Sequence, residues 1–424
     1  MAAPVVASVS PSQGPAAGGT TVTVTGTGFT GATTVRFGAK PATSFTVDSS
    51  TQITAVSPSG TGSVNLTVTT SQGTSIQQVP FTYATSPSLT NLTPAQGPVS
   101  GGTTVTLTGT GFTGATAVAF GGVAATSFTV NSATQITAVA PPHATGAAAV
   151  TVTTPGGTSN ALTFTYLSAP SLTNLTPTQG PVAGGTTVTL TGTGFTGATA
   201  VAFGGVAATS FTVNSATQIT AVTPPHTAGA AAVTVTTPGG TSNPDSPSAY
   251  FFYATSPSLA AVTPASGSTA GGATVTLTGN DLLGATAVSF GGVAATSFTV
   301  NSATQITAVT PPHATGAAAV TVTTPGGTSN PAGYLYLTLP TLLSLVPDQG
   351  PAHAGTVVTV TGTDLTTTTE VHFGSTPAAF TVVSPTQVTA VAPAGADGPV
   401  SVTVTTGAGT SNPLTYTRIP PPDI

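Results

Sequence analysis

The chain has 424 residues, of which only three are Lys or Arg and eight are Asp or Glu, giving a formal net charge of −5. Three cations cannot supply the electrostatic footprint that phosphate binding needs, so nucleic acid and anionic membrane surfaces are excluded as partners. With no cysteine there is no disulfide framework, and no apolar run of about 18 residues exists to insert in a membrane.

Taken in chain order, the first residues (Met1-Ala2-Ala3-Pro4) have neither a basic n-region nor an apolar h-region, so no secretory signal is expected there. The rest reads as five copies of one unit, at 3–84, 86–167, 169–254, 256–337 and 339–418, followed by a Pro-rich tail at 419–424. Residues 97–160 and 180–243 differ at 4 of 64 positions, and 284–330 differs from 114–160 at 2 of 47. A chain that copies a module this closely uses number, length or valency, not one asymmetric catalytic pocket. An aromatic recurs at Phe37, Phe120, Phe203, Phe290 and Phe373, with spacings of 83, 83, 87 and 83. A closing tyrosine is expected at Tyr83, Tyr166, Tyr253, Tyr336 and Tyr416. The longer spacing comes from a four-residue insertion around 244–249, read as a loop tip.

Within a copy the hydrophobic period is two. Segments 20–25 and 150–153 alternate β-branched apolar and hydroxyl residues, as strands with one wet face do. In the second copy this predicts strands near 88–92, 103–109, 117–120, 126–130, 135–140, 147–153 and 162–166, separated by Gly, Pro, Asn and Ser. Seven short strands in about 80 residues predict an all-β fold: five tandem immunoglobulin-like antiparallel β-sandwiches. The linkers are short and each ends in Pro (Pro87, Pro170, Pro257, Pro340), which predicts an elongated, semi-rigid rod on the order of 180 Å. With one Lys for all these strands, sheet edges are either guarded by Pro and Gly or used for association.

The order P-x-x-G-P-x-x-G-G-T-x-V-T-L-T-G-T-G-F, V-x-F-G, T-Q-I-T-A-V-x-P, V-x-V-T-x-x-G-T-S and F-x-Y occupies 94–112, 118–121, 134–141, 150–159 and 164–166, and returns in the other copies. It resembles the IPT/TIG family of immunoglobulin-like domains, found in plexins, some transcription factors and many bacterial surface proteins. The resemblance covers residues 3–418 and implies the sandwich fold, while leaving function open because the family hosts many roles. Copies four and five depart from the Gly-Phe element with Asp281-Leu282 and Asp364-Leu365. Leu fits the same core slot, so no change of fold is expected.

Few residues are candidates for chemistry. His143, His226 and His313 hold one loop position in three copies; a module length apart, they share no metal within one chain. His353 and His372 have no Cys partners. The acids form no recurring pair suited to glycosidic catalysis. No cofactor is expected, the fifth copy's Asp348, Asp364, Glu370 and Asp397 being the one place where Ca²⁺ would find several oxygens. The cluster Tyr250-Phe251-Phe252-Tyr253 beside the insertion is a candidate contact surface, as are the three loop histidines. The composite expectation is a non-enzymatic structural or adhesive rod at a cell surface or in an extracellular assembly. Its partners would be proteins, glycans or copies of itself; a phage or injection-particle fibre and a carbohydrate-binding stalk are the alternatives.

Overall fold

The computed structural model of the chain describes residues 2–420. In the first module β1 (Val5–Ser10), β3 (Thr21–Thr27), β7 (Gln52–Val56) and β6 (Ser44–Ser49) form a four-stranded sheet in the order β1-β3-β7-β6. The second sheet runs β2 (Gln13–Pro15), β10 (Pro80–Ala84), β8 (Gly62–Thr70), β4 (Thr34–Phe37), β5 (Lys40–Pro41), with β9 (Gly73–Thr74) also paired to β8. All pairings are antiparallel except β2 on β10. The same two sheets recur in all five modules, so the expected all-β tandem sandwich is the fold. Among the described residues the one helical piece is a single 3₁₀ turn, Pro247–Ala249, and no helix is long and apolar enough to cross a membrane. The expected Pro-rich tail falls largely outside the described residues; Ile419 still ends the last strand, paired with Pro351.

The alternation seen in the sequence is what builds the core. In the second module, Thr104–Thr110 buries Val105 and Leu107, and Gly146–Thr154 buries Val150 and Val152. Because successive strand side chains point to opposite faces, the intervening threonines are left toward solvent. Phe120 meets Phe164 edge-to-face at 5.4 Å between ring centroids, and Phe164 meets Tyr166 at 4.9 Å. Leu282 and Leu365 fill the slot of Phe112 and are fully buried.

Sequence patterning misses three short strands per module, such as Gln96–Pro98 and Gly157–Thr158. Gly and Pro made these segments read as turns. Pro98 is tolerated because the strand lies at a sheet edge, where a missing N–H breaks no ladder. The Gly-Thr-Ser motif also acquires a role. Ser159 donates its N–H to the Val152 carbonyl at 2.9 Å, and its Oγ accepts from the Val152 N–H at 3.0 Å. The same pair of bonds recurs at Ser75, Ser242, Ser329 and Ser411, closing each hairpin onto β8 or its counterpart.

The residue after that serine clasps the two sheets together. Asn160 accepts from the Leu89 N–H (2.8 Å) and donates to the Leu89 carbonyl (2.9 Å), imitating a backbone partner for the first strand. Asn330 and Asn412 do the same to Leu259 and Leu342. In the third module the insertion diverts Asn243, which accepts instead from the Asp245 N–H. The insertion is therefore more than a loop tip: its 3₁₀ turn packs on the first strand of that module, and Ala249 is buried where the second module has Leu162. Asn412→Ala is expected to destabilise the start of the fifth module by about 1–3 kcal/mol, the range for leaving backbone groups unpaired. Asn243→Ala is expected to change local stability far less. Amide exchange at 341–346 and 171–176 in the full chain compares the two; equal effects would contradict the clasp.

Candidate contact surfaces

Each of the three equivalent histidines is held in a fixed stack. The His143 ring lies on Tyr166 at 4.9 Å between centroids and 18° between planes; His226 on Tyr253 and His313 on Tyr336 repeat this at 4.8 Å. His143 Nδ1 is 2.9 Å from the Ala144 carbonyl, a distance at which that nitrogen carries the proton and donates. Its Nε2 sits over Gly121, where a Cβ would lie 2.6 Å away, so that glycine makes room for the ring as well as adopting φ +57°. The three histidines are half-buried. In the first and fifth modules Gly60 and Gly395 stand at this position.

The closing tyrosine requires one correction. Strand register pairs Val400 with Tyr416 and Gly398 with Arg418, matching Ala148 with Phe164 and Gly146 with Tyr166. Tyr416 therefore occupies the phenylalanine slot, and Arg418 stands where the other modules have their closing tyrosine. Arg418 matches the bond of module two, where Tyr166 donates its hydroxyl to the Pro141 carbonyl at 2.9 Å. It donates to the Pro393 carbonyl at 3.1 Å, a bond that the hydroxyls of Tyr83, Tyr253 and Tyr336 do not make. The other two cations also donate to backbone carbonyls, Arg36 to Ala39 and Lys40 to Ser59. Among the described residues the single acid–base approach is His372 to Glu370 at 3.8 Å, a surface distance of little energetic weight.

The aromatic cluster splits by strand parity. Phe251 and Tyr253 are fully buried in the third module's core, whereas Tyr250 and Phe252 face outward, 41% and 51% exposed. The acids of the fifth module are not brought together: no group of three or more His, Asp or Glu suited to a metal occurs among the described residues.

The junctions were not singled out in the sequence beyond their prolines. Only Thr85, Ser86 and Pro87 separate the last strand of module one from the first strand of module two, and three residues likewise separate each later pair. These linkers are docked. Ser86 Oγ donates to the Gly156 carbonyl at 2.8 Å, and a Cβ on Gly156 would collide with the Thr85 carbonyl. Ser256 and Gly326 repeat the arrangement. A cleft opens at three of the junctions. In the first, of about 370 Å³, the lining includes Gln13, Thr113 and Thr154; in the second, of about 390 Å³, Gln96, Thr196 and Thr237. The third, of about 480 Å³, has Gln179 and Thr324 but carries Phe252 and Leu283 in addition. Phe252 stands at the strand position of Thr82 and Thr165, and Leu283 at that of Thr113 and Thr196.

The family model for the IPT/TIG domain matches at 4–83, 87–166, 170–251, 257–336 and 340–417. The chain belongs to the IPT/TIG family. Mouse fibrocystin-L is 31% identical over 294 residues, which is 66% of this chain but 7% of that protein's own length. Among solved structures, the extracellular region of plexin A4 aligns over 98% of this chain and 50% of its own, at 16% identity and TM-score 0.31. The Escherichia coli adhesin FdeC aligns over 59% of this chain and 96% of its own, at 18% identity and TM-score 0.25.

Burial of the core tyrosines in these IPT/TIG modules, four closing ones and Tyr334 in the phenylalanine slot, favours the neutral phenol. It pushes Tyr83, Tyr166, Tyr253 and Tyr334 above the usual tyrosine value of 10.0. Tyr336 rises to about 12 through burial first and the adjacent Tyr334 second. A raised value in the folded state means stability that is complete below pH 10 and lost as the pH climbs toward 12. Titration in the phenolate absorption band should show these five ionising late in native protein and near 10 in denaturant. Ionisation of all tyrosines near 10 in the native chain would contradict the burial.

Proposed function

We propose that this chain is a non-enzymatic spacer and adhesive rod, carried at a cell surface or in an extracellular assembly, whose five IPT/TIG modules set reach. The observation that carries the reading is the docked linker. The last strand of one module ends three residues before the first strand of the next, and those residues lie against the next module's hairpin at Gly156, Gly239 or Gly326. A linker used at both ends has little freedom to bend, so successive modules add length. Partners of such a rod are proteins or glycans.

The sheet edges favour a rod that stays single. The free edge strand of the four-stranded sheet, Ser127–Ser132, carries a bulge between Val130 and Ser132. Asn131 at the bulge turns back to Gln135 and Thr137. Bulges and edge prolines obstruct edge-to-edge pairing without charge. Electron microscopy and light scattering across a concentration series should show isolated beaded rods throughout. Ordered bundles would overturn the spacer reading in favour of self-assembly, and compact particles would overturn the rod.

The docked linker makes its own prediction. Gly156→Ala should displace Thr85 and expose 84–86 to limited proteolysis, and widen the range of particle dimensions in small-angle scattering. Gln72→Ala, at the matching hairpin of the first module, should do neither.

A further inference from the structure

The third junction cleft differs from its two counterparts in a way that specifies a ligand. Residues 244–283 are repeated less closely than the near-identical segments that flank them, 180–243 and 284–330. That stretch supplies both walls of the cleft: Phe252 from the last strand of module three, Leu283 and Asp281 from module four. Phe252 is 51% and Leu283 63% exposed, so neither is consumed by packing the two modules together. Asp281 adopts φ +56°, a left-handed conformation that Gly111 and Gly194 supply without strain at the first two junctions and that Asp364 repeats in module five. Its Oδ2 accepts from Thr255 Oγ1 at 2.8 Å, which fixes the carboxylate at the rim.

From this we infer that the cleft between modules three and four is a binding site for a neutral saccharide. The lining contains no cation, so an anionic ligand meets no counter-charge, and the sole carboxylate is already hydrogen-bonded. What remains is an aromatic ring and a leucine on facing modules, with amide, hydroxyl and carboxylate groups of Gln179, Thr324 and Asp281 around them. A pyranose ring matches that pattern, with apolar C–H faces and a hydroxyl rim. The cleft, at about 480 Å³, is of ligand-pocket size. Outside the cleft lining, Tyr250 faces outward on the same side of the strand two residues before Phe252, and the cross-strand partners of both are alanines, Ala232 and Ala230.

The inference goes beyond the spacer reading and is tested separately from it. Isothermal titration calorimetry of the full chain is made against neutral hexasaccharides of the cello-, xylo-, manno-, malto- and chito- series. It is repeated with the Phe252→Thr/Leu283→Thr double variant, which places at this junction the residues found at the other two. The expected result is one saccharide bound per chain by at least one member of the panel. The double variant should weaken it by about tenfold or more, as loss of a central aromatic anchor does. No binding by any member, binding unchanged in the double variant, or several sites per chain would each overturn the inference. Electron microscopy of both proteins keeps the two readings apart. Rods of normal length without saccharide binding would sink the site and leave the spacer standing, whereas collapsed particles would sink the spacer.

Discussion

The last strand of each module closes the core and also hands the chain to the next module, and the two duties constrain one another. Phe164 and Tyr166 enter the core from this strand, and the strand is held on one side by Gly146–Thr154 and on the other, in parallel, by Gln96–Pro98. With two neighbours it is an interior strand, so its position is set by two ladders of hydrogen bonds. The linker leaves from its end and docks within three residues. Movement of the next module therefore requires movement of a strand whose alternate side chains are fully buried. The stiffness of the array follows from core packing and hydrogen bonding, with scarcely any help from charge.

Within that constraint the five copies show which substitutions the module tolerates. Phe164 becomes Tyr334 in module four, and its added hydroxyl approaches Gly267, at the place where Thr103 approaches Gly97 in module two. Module four has Ala273 in place of Thr103, so the space taken by the new hydroxyl is vacated by the old one. Arg418 reaches the proline carbonyl equivalent to the one Tyr166 reaches in module two, and Gly395 leaves the space its guanidinium needs. Close packing explains these paired changes, because an interior at organic-crystal density has little room for a side chain that grows unless a neighbour shrinks. Module five departs from the pairing, since Tyr416 brings the same hydroxyl toward Gly350 while Thr356 is retained.

The fold was legible because period-two alternation and Gly/Pro punctuation are local signals, and the seven longer strands of a module carry both. What escaped was set by tertiary context. Pro98 looked like a terminator and is an edge strand; Asn160 looked like a turn residue and is a backbone mimic seventy-one positions from its partner. Arg418 escaped because Tyr416 offered an aromatic near the expected place, although 336 to 416 is 80 residues, not 83. Of the candidate contact residues, Phe251 and Tyr253 were readable as core from parity alone, since a run of four in a strand sends two inward. That Phe252 meets Leu283 across a junction could not be read, because no sequence period relates the tip of one module to the flank of another.

Specialisation of one junction follows from where the module leaves freedom. Outward positions of the last strand and the tip before Gly114, Gly197 or Gly284 contribute nothing to the buried clusters, so threonine there can become phenylalanine or leucine without disturbing a core. The same positions lie beside the linker, where consecutive modules approach. A tandem array of this kind therefore acquires a two-walled cleft by substituting surface residues alone, one from each module. The walls stay aligned because the linker between them is docked. The insertion at 244–249 fits this logic: it gives up one clasp to the first strand, replaces it with a packed 3₁₀ turn, and leads directly into the strand that presents Tyr250 and Phe252. On the proposed reading, length and contact are separable, the first set by the repeated interior and the second by a few exterior positions that break the repeat.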